Sequence, residues 1–204
     1  LKMKIGIFIE PQKNKSNFLY NWKKIIKKNF GKQKYLTHPL HTTIAVFKLK
    51  TKINDNFYLS LKKEMKLFAK FRISITKPNI FYNDALTGGD TLFFGIKKNP
   101  KLILFQKKIL KHFCQIDNKI SRDDFFRNKK FQFNYKNFGF PFIGKDWIPH
   151  FTIASVKTNS KKKNQIFKNF LAEKNFKMNM NVKNFSVWEI KKDIHKKILQ
   201  ISLK

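Results

Sequence analysis

The sequence predicts an α+β protein built from two related lobes that face each other across a cleft. The main observation is the motif His-x-Thr-Ile-Ala, in which x is any residue. It occurs twice, beginning at His41 and at His150. A strand–helix–strand pattern follows each copy, and a repeated supersecondary unit of this kind indicates a duplicated fold. With 204 residues, 42% of them hydrophobic, the chain is long enough for one compact domain or two closely packed lobes.

The opening segment predicts a strand followed by an amphipathic helix. The strand runs from Lys4 to Glu10, and the helix runs from Phe18 to Phe30 and ends at Gly31. The inward face of the helix is apolar and contains Trp22, Ile25 and Ile26. Its outward face carries the lysines Lys23, Lys24, Lys27 and Lys28. Such a helix can lie on an anionic membrane, but packing against the core is the favoured interpretation.

Each motif predicts a strand that presents its histidine and its threonine on one face. Residues i and i+2 of a strand share a face. The two pairs are His41 with Thr43 and His150 with Thr152. The alanines Ala45 and Ala154 fall at i+4, so simple alternation places them on the same face, where they leave room beside the imidazole for a bound group.

The segments after the two motifs follow the same pattern. After the first motif, a turn at Asn54 and Asp55 precedes residues at helical spacing and then an alternating strand: Tyr58, Leu61, Met65 and Phe68, then Phe71, Ile73 and Ile75. After the second motif, a turn at Asn159 and Ser160 precedes a similar series: Ile166, Phe167, Phe170 and Leu171, then Phe176, Met178, Met180 and Val182.

The middle of the chain predicts one more strand, one more helix and a hairpin. The strand runs from Thr91 to Lys97 after a glycine turn at Gly88 and Gly89, and the helix begins with Asn99 as N-cap and Pro100 at its first position. The buried stripe of that helix is Leu102, Phe105, Ile109 and Phe113. Residues 118–147 lack a helical period, and the alternation of Phe138, Phe140 and Phe142 predicts a hairpin beside the cleft.

The remaining histidines and the single cysteine suggest no further site. Cys114 excludes an internal disulfide, fits a reducing compartment and is interpreted as core. His112 lies two positions earlier and would not face the cysteine on a helix, so no metal site is expected there. His38 is interpreted as a loop residue, and His195 as part of an exposed terminal hairpin without a function.

The two motifs, the opening strand and helix, and Pro149 before the second histidine resemble the 2H phosphoesterase superfamily. Its LigT-like branch comprises RNA 2',3'-cyclic phosphodiesterases, also described as 2'-5' RNA ligases. The resemblance covers essentially the whole chain and implies a bilobal α+β fold with antiparallel sheets and flanking helices. It also implies that the two pairs of histidine and threonine line a cleft, where phosphodiester bonds next to ribose 2' or 3' oxygens are cleaved without metal or cofactor.

The expected domain organisation is one bilobal domain over residues 1–204. A single domain of this length is within the usual range of domain sizes. The lobe with the first motif is predicted at about residues 30–100, and the lobe with the second at about 115–190. The termini are expected to contribute strands.

Two histidines suffice for phosphodiester chemistry. One neutral imidazole accepts a proton from water or a ribose hydroxyl, and the other, protonated, donates to the leaving oxygen. The hydroxyls of Thr43 and Thr152 would bind the non-bridging oxygens, on which charge grows in the transition state. The near symmetry of the motifs leaves open which of His41 and His150 is the base.

One position departs from the family pattern. LigT-like members often carry an arginine five residues after the second histidine, where this chain has Ser155. Lys157, two residues further along, is a candidate substitute, although an ammonium lacks the planar two-pronged donor set of arginine. Further candidates for substrate binding are Phe140, Trp147, Arg122 and Arg127. For the aromatic residues, packing inside the second lobe is the favoured alternative.

The net charge of +33 points to a polyanionic partner, although only 3 of the 45 basic residues are arginines and the lysine excess fits an AT-rich coding sequence. We expect RNA or a small nucleotide phosphodiester as the substrate of a cytoplasmic monomer. No signal peptide or membrane span is expected, because the apolar run from Ile5 to Ile9 is too short. A non-catalytic RNA-binding module and an RNA 2'-5' ligase acting by reversal are the alternatives.

Overall fold

A computed structural model describes residues 3–50, 52–114, 129–191 and 194–204. Its strands are β1 (Met3–Ile9), β2 (Thr42–Leu49), β3 (Phe71–Asp84), β4 (Gly89–Lys97), β5 (His150–Val156), β6 (Met178–Val182), β7 (Asn184–Lys191) and β8 (Ile194–Ser202). Its helices are α1 (Lys13–Phe30), α2 (Asp55–Met65), α3 (Pro100–Phe113), α4 (Lys129–Phe138) and α5 (Lys162–Ala172), with a 3-10 turn at Gly144–Asp146. Nearly all of the predicted elements are present.

The strands form two four-stranded sheets in which neighbouring strands are antiparallel. The first sheet has the order β2-β1-β7-β8 and the second has the order β5-β4-β3-β6. The two motif strands, β2 and β5, are therefore edge strands, and they approach each other closely. This arrangement confirms the predicted α+β fold with two antiparallel sheets and places both motifs where the sheets meet.

The strands within each predicted lobe are not the strands that pair in one sheet. Strands β3 and β4 fall within residues 30–100, yet they pair with β6 and β5 in the sheet of the second motif. Strand β7 falls largely within residues 115–190, yet it pairs with β1 in the sheet of the first motif. The chain crosses between the lobes because strand partners are chosen by long-range packing, which a local strand–helix–strand pattern does not reveal.

Asn99 and Gly31 mark helix ends as predicted, and Asn54 of the predicted turn is also a helix cap. The side-chain oxygen of Asn54 accepts from the Phe57 amide at 2.9 Å, and that of Asn99 accepts from the Leu102 amide at 2.9 Å. Gly31 ends α1 with φ 67°, a left-handed conformation that glycine adopts without a steric cost. The predicted starts of α2 and α3 and the end of α1 are confirmed.

The predicted hairpin before Trp147 is wrong for residues 129–147, the part of that segment that the structure describes. Residues 129–138 form α4, and the chain then passes through Phe140, which is 6% exposed, to the 3-10 turn. The spacing of Phe131, Tyr135 and Phe138 (i, i+4, i+7) is helical, whereas the alternation of Phe138, Phe140 and Phe142 alone is typical of a strand. Arg122 and Arg127 lie outside the described residues.

The core is continuous between the two sheets and the helices that cover them. All four predicted stripe residues of α3 are fully buried in it: Leu102, Phe105, Ile109 and Phe113. Cys114, predicted as core, is exposed because it lies at the C-terminal end of α3, where its thiol donates to the carbonyl of Asn137. Within the described ranges, no helix combines the length and the apolar character that crossing a bilayer requires.

Candidate active site

The two motif histidines are held in the same way. Nδ1 of His41 lies 2.8 Å from the carbonyl oxygen of Pro39, and Nδ1 of His150 lies 2.6 Å from that of Ile148. In both cases the acceptor belongs to the residue two positions earlier. Because a carbonyl oxygen can only accept, Nδ1 carries the proton in each ring. Nε2 of each neutral imidazole is then the atom with a lone pair, ready for proton transfer.

Each motif strand contains a β-bulge at the same place. In the first sheet Phe8 pairs with Thr43 and Ile7 with Ala45, so Ile44 is the extra residue. In the second sheet Phe93 pairs with Thr152 and Leu92 with Ala154, so Ile153 is the extra residue. A bulge shifts the alternation of side chains by one residue and bends the strand. The isoleucine of the motif is thus a structural residue.

The bulge corrects the prediction for the two alanines. Ala45 and Ala154 are fully buried in the core, as are Ile44 and Ile153. The alanines therefore do not lie beside the imidazoles, because the bulge turns them to the inner face. The same shift places Ser155, the next residue along β5, on the face of His150.

A phenylalanine from the adjoining strand packs on each imidazole. The ring centroid of Phe8 lies 4.1 Å from that of His41, and the centroid of Phe93 lies 4.8 Å from that of His150. Both phenylalanines are the residues that pair with the motif threonine across the bulge. Phe81 adds a second ring beside His150, at 5.5 Å. These rings take the place of water on one side of each histidine and fix its orientation.

Burial lowers the pKa of both histidines. It lowers the pKa of His41 to about 4, although the Pro39 carbonyl raises it, and the nearby His195, His38 and Lys23 lower it further. Burial also lowers the pKa of His150, against the opposing effects of the Ile148 carbonyl and of Asp84. The charged neighbours of the two imidazoles are thus opposite in sign.

The motif threonines are half-buried beside the histidines. Among the described residues, no side-chain hydrogen bond engages the hydroxyl of Thr43 or Thr152. The backbone at the first bulge is fixed instead, because the Thr43 carbonyl accepts from the Trp147 indole at 3.1 Å and the Ile44 carbonyl accepts from Gln106 at 3.0 Å. The hydroxyls can turn toward a bound phosphate while the backbone stays in place.

The other predicted binding residues occupy different positions. Trp147 is 2% exposed and Phe140 is 6% exposed, so their burial fits the packing interpretation. Trp147 also joins the two lobes through its bond to Thr43. Lys157 is exposed just beyond the end of β5, and its backbone amide donates to the side chain of Gln33 at 2.9 Å.

The loop after α1 crosses to the second motif strand at Ser155. The Ser155 amide donates to the Lys34 carbonyl at 2.9 Å, and the two residues form an isolated antiparallel bridge. The Ser155 hydroxyl donates to that of Thr87 at 2.7 Å, so it is engaged inside the protein. Directly opposite residues of such a bridge share a face, which places Lys34 on the cleft side of β5.

Three basic residues near His41 were not recognised as a site in the sequence. Lys23 was predicted to face outward, yet it is 5% exposed. His38 and His195 pack together, with ring centroids 4.4 Å apart. The spacing Leu19, Trp22, Lys23 and Ile26 (i, i+3, i+4, i+7) marks the buried face of α1 and could have identified Lys23. The pairing of His38 with His195 has no signal in the sequence, because it joins a loop to a distant strand.

The remaining histidine belongs to the core. His112 is 3% exposed, and its Nδ1 lies 2.8 Å from a carboxylate oxygen of Glu64, while Nε2 lies 3.3 Å from the Ser60 hydroxyl. Within the described part of the chain, histidine, cysteine and acidic side chains form no group that could hold a metal ion.

Comparison with known proteins agrees with the two-lobe architecture. In fold the chain is similar to TT0787 of Thermus thermophilus, with a TM-score of 0.65 and 14% identity over 98% of this chain and 97% of that chain. It is also similar to E. coli LigT complexed with 3'-AMP, with a TM-score of 0.56 and 11% identity over 100% and 99% of the two chains. At these identities the likeness shows the fold alone.

Family membership follows from the sequence match. No curated protein sequence matches the chain. The family model described as the 2'-5' RNA ligase superfamily matches residues 11–194, which is most of the chain and includes both motifs. The protein therefore belongs to the 2'-5' RNA ligase superfamily, the 2H phosphoesterases.

Proposed function

We propose that this protein is a metal-independent phosphodiesterase that hydrolyses 2',3'-cyclic phosphate ends or 2'-5' linkages of RNA or of small nucleotides. The observation that carries the proposal is the duplicated histidine arrangement. Each imidazole donates through Nδ1 to the carbonyl two residues earlier and retains Nε2 for proton transfer. Two such imidazoles on facing edge strands provide one acid and one base, which is what this hydrolysis requires.

In the proposed reaction, the oxygen of a water molecule attacks phosphorus while one imidazole Nε2 takes a proton from that water. The bond from phosphorus to the ribose 2' or 3' oxygen breaks, and the leaving oxygen receives a proton from Nε2 of the other imidazole. The two protons balance, so the enzyme carries one proton throughout and the histidines exchange protonation states. The hydroxyls of Thr43 and Thr152 donate to the non-bridging oxygens as charge accumulates on them.

The charges around the histidines support an assignment of these roles. His41 lies near three basic groups, His38, His195 and Lys23, which oppose its protonation, so we assign it as the general base. Asp84 favours the protonated form of His150, so we assign His150 as the general acid. The assignment concerns the water-attack direction, and the roles reverse for the opposite reaction.

The test is turnover in the presence of EDTA. Purified protein is incubated with nucleoside 2',3'-cyclic monophosphates, with RNA carrying a 2',3'-cyclic end and with 2'-5' linked adenylate, and products are separated by chromatography. We expect hydrolysis of at least one of these substrates, and the product isomer identifies the ribose oxygen that leaves.

Two variants control the assay. His150→Ala should lose turnover, whereas His112→Ala, which removes a buried histidine far along the sequence from either motif, should retain it in the fraction that folds. Salt-dependent RNA binding without turnover of any substrate would contradict the proposal and favour the non-catalytic RNA-binding module.

Ligation is a second candidate, favoured by the description of the matching family. The same two imidazoles could join a 2',3'-cyclic end to a 5'-hydroxyl. One would take the proton of the 5'-hydroxyl as its oxygen attacks phosphorus, and the other would protonate the 3' oxygen as its bond to phosphorus breaks, which leaves a 2'-5' linkage. Because water is in large excess, hydrolysis is expected to dominate. Adding a 5'-hydroxyl oligonucleotide to the same assay tests for the ligated product, and its formation at a rate comparable to hydrolysis would favour the ligase.

A further inference from the structure

The ring of Phe81 lies beside His150 and takes no part in the proposed proton transfers. Phe81 is on β3, and its ring centroid lies 5.5 Å from that of the imidazole, with the two planes at 81°. Its side chain is half-buried, and among the described residues it lies outside the continuous core. The ring thus adjoins the proposed general acid without belonging to the packed interior.

One face of the Phe81 ring is supported and the other is open. Phe93 stacks on Phe81 with centroids 4.1 Å apart and planes at 27°. The three centroid separations among Phe81, Phe93 and His150, which are 4.1, 4.8 and 5.5 Å, form a triangle without a wide angle. The imidazole therefore does not lie over the face of Phe81 that is turned away from Phe93. Within the described part of the chain, that face has no aromatic or cationic partner.

The first motif also has a second ring nearby, but that ring is already paired with a cation. Trp188 lies beyond Phe8, with ring centroids 6.3 Å apart. The Lys197 ammonium lies over the Trp188 ring, 5.1 Å from its centroid, and an ion pair with Glu10 at 2.7 Å holds the ammonium there. The better surface for stacking a planar ligand is therefore the one beside His150.

The position of Phe81 fits the nucleoside whose oxygen leaves in the proposed reaction. His150 protonates a ribose 2' or 3' oxygen, which requires that Nε2 and that oxygen lie about 3 Å apart. The base is attached to the same ribose, only a few covalent bonds from either oxygen. A base that extends from His150 along the cleft face of the second sheet can therefore reach the open face of Phe81.

We propose that Phe81, supported by Phe93, stacks on the base of the nucleotide whose 2' or 3' oxygen receives the proton of His150. This inference rests on the proposed function for the place of the phosphate. Stacking on an aromatic ring tolerates any base, because every base has a π-face. The substrate class is therefore a nucleotide, or the terminal nucleotide of an RNA of any sequence, in preference to a sugar phosphate without a base. Stacking was expected at Phe140, but that ring is 6% exposed and belongs to the core.

The test measures how much the base contributes to the affinity of a product-like ligand. Adenosine 3'-monophosphate, and the same ribose 3-phosphate with hydrogen in place of the base, are titrated into the protein by calorimetry. We expect the nucleotide to bind at least about tenfold more tightly to the wild-type protein, which is within the range of one stack of a base on an aromatic ring. In Phe81→Leu, which stays apolar but loses the ring, this ratio should fall to about threefold or less. In Phe81→Tyr, which keeps a ring, it should stay within about twofold of the wild-type ratio.

The neighbouring residue of β3 provides a matched control. Tyr82 is 61% exposed, and strand alternation turns it to the opposite face of the sheet. Tyr82→Leu should leave the ratio within about twofold of the wild-type ratio, because this ring is not in the cleft. Thermal unfolding identifies which variants are folded. Equal affinity of the wild-type protein for both ligands, no binding of either, or an unchanged ratio in folded Phe81→Leu would overturn the inference.

A second measurement uses the wild-type protein and does not depend on the folding of Phe81→Leu. Nuclear Overhauser effects between the adenine protons of bound adenosine 3'-monophosphate and the ring protons of Phe81 should appear. The Phe81 signals are assigned by comparison with the spectrum of Phe81→Tyr. Effects from the adenine to other rings, with none to Phe81, would overturn the inference.

Neither measurement depends on turnover. If the protein hydrolyses none of the substrates above but shows the expected ratio of affinities and its loss in Phe81→Leu, the proposed function fails and the base-stacking site stands. If it hydrolyses a cyclic phosphate but binds both ligands equally, the function stands and the base-stacking site fails.

Discussion

The two motif regions are near copies in geometry and differ in charge. Both have an imidazole that donates to the carbonyl two residues earlier, a bulge at the motif isoleucine, and a phenylalanine from the next strand on the imidazole. The region of His41 adds the basic residues Lys23, His38 and His195, whereas the region of His150 adds the carboxylate of Asp84.

The two motifs therefore form the same local arrangement of histidine, bulge and phenylalanine. The elements around each motif determine the charge near its histidine, and so its role. The basic residues come from α1, the following loop and β8, and Asp84 comes from the end of β3. None of these residues belongs to a motif. A pair of identical acid–base groups must differ in protonation to work together, and the difference here comes from the neighbours.

The most severe way to break the pair is to remove either histidine. His41→Ala and His150→Ala should each lower kcat/KM by roughly 10²- to 10⁴-fold, because each deletes one of the two proton-transfer groups. Steady-state kinetics on the best cyclic phosphate substrate measures the loss. Comparable losses indicate that both copies are needed, while a variant that keeps wild-type kcat/KM shows that its histidine has no part in the chemistry.

The next effect concerns the threonines. Thr43→Val and Thr152→Val keep the strand shape and remove one hydroxyl each, and we expect a loss of about 1 to 3 kcal/mol in transition-state stabilisation. The loss should appear mainly in kcat, since the charge on the non-bridging oxygens grows in the transition state. A change confined to KM would instead indicate that the hydroxyl binds substrate and transition state equally.

A third change tests the charge difference itself. Asp84→Asn removes the carboxylate that favours protonated His150, so the pKa of His150 should fall further. If His150 is the acid, the alkaline limb of the kcat/KM profile then moves to lower pH, while the acid limb, set by His41, stays in place. Asp55→Asn, which removes an exposed carboxylate at the start of α2, should move neither limb. Movement of the acid limb alone would reverse the assigned roles.

The smallest effect is expected from the packed phenylalanines. Phe8→Leu and Phe93→Leu keep an apolar contact with the imidazole but lose the ring, which typically costs about 0.5 to 1.5 kcal/mol. We expect similar decreases in kcat/KM for the two variants, because the ring contacts are alike in both regions. Pre-steady-state measurement of the chemical step checks this expectation. An effect in only one variant would show that the two motif regions share the histidine hydrogen bonds but not an equally important ring contact.

The sequence predicts much of the fold because local signals are strong where they are used. Asn99 and Gly31 indicate helix ends, and the duplicated motif locates strands β2 and β5. The sequence does not assign β3 and β4 to the second sheet, because strand pairing depends on contacts with β5 and β6 that lie far along the chain.

The predicted site was less complete than the predicted fold. The pairs of histidine and threonine follow from simple alternation, but the bulge reverses the expected orientation of Ala45 and Ala154, since period two holds only in a regular strand. Lys23 looks like one of many surface lysines in a chain with 45 basic residues. Only tertiary structure brings it, with His38 and His195, to the first motif.

The most direct test of the unequal pair is a titration of the imidazoles by nitrogen NMR. Spectra of the protein without ligand are recorded from about pH 2.5 to pH 8, which brackets the lowered pKa of His41, and the signals of His41 and His150 are assigned from the two alanine variants. The account predicts that both neutral rings are protonated on Nδ1, that both pKa values lie below the usual value near 6.5, and that His150 takes up its proton at the higher pH. If His41 takes up its proton first as the pH falls, the assignment of base and acid is contradicted.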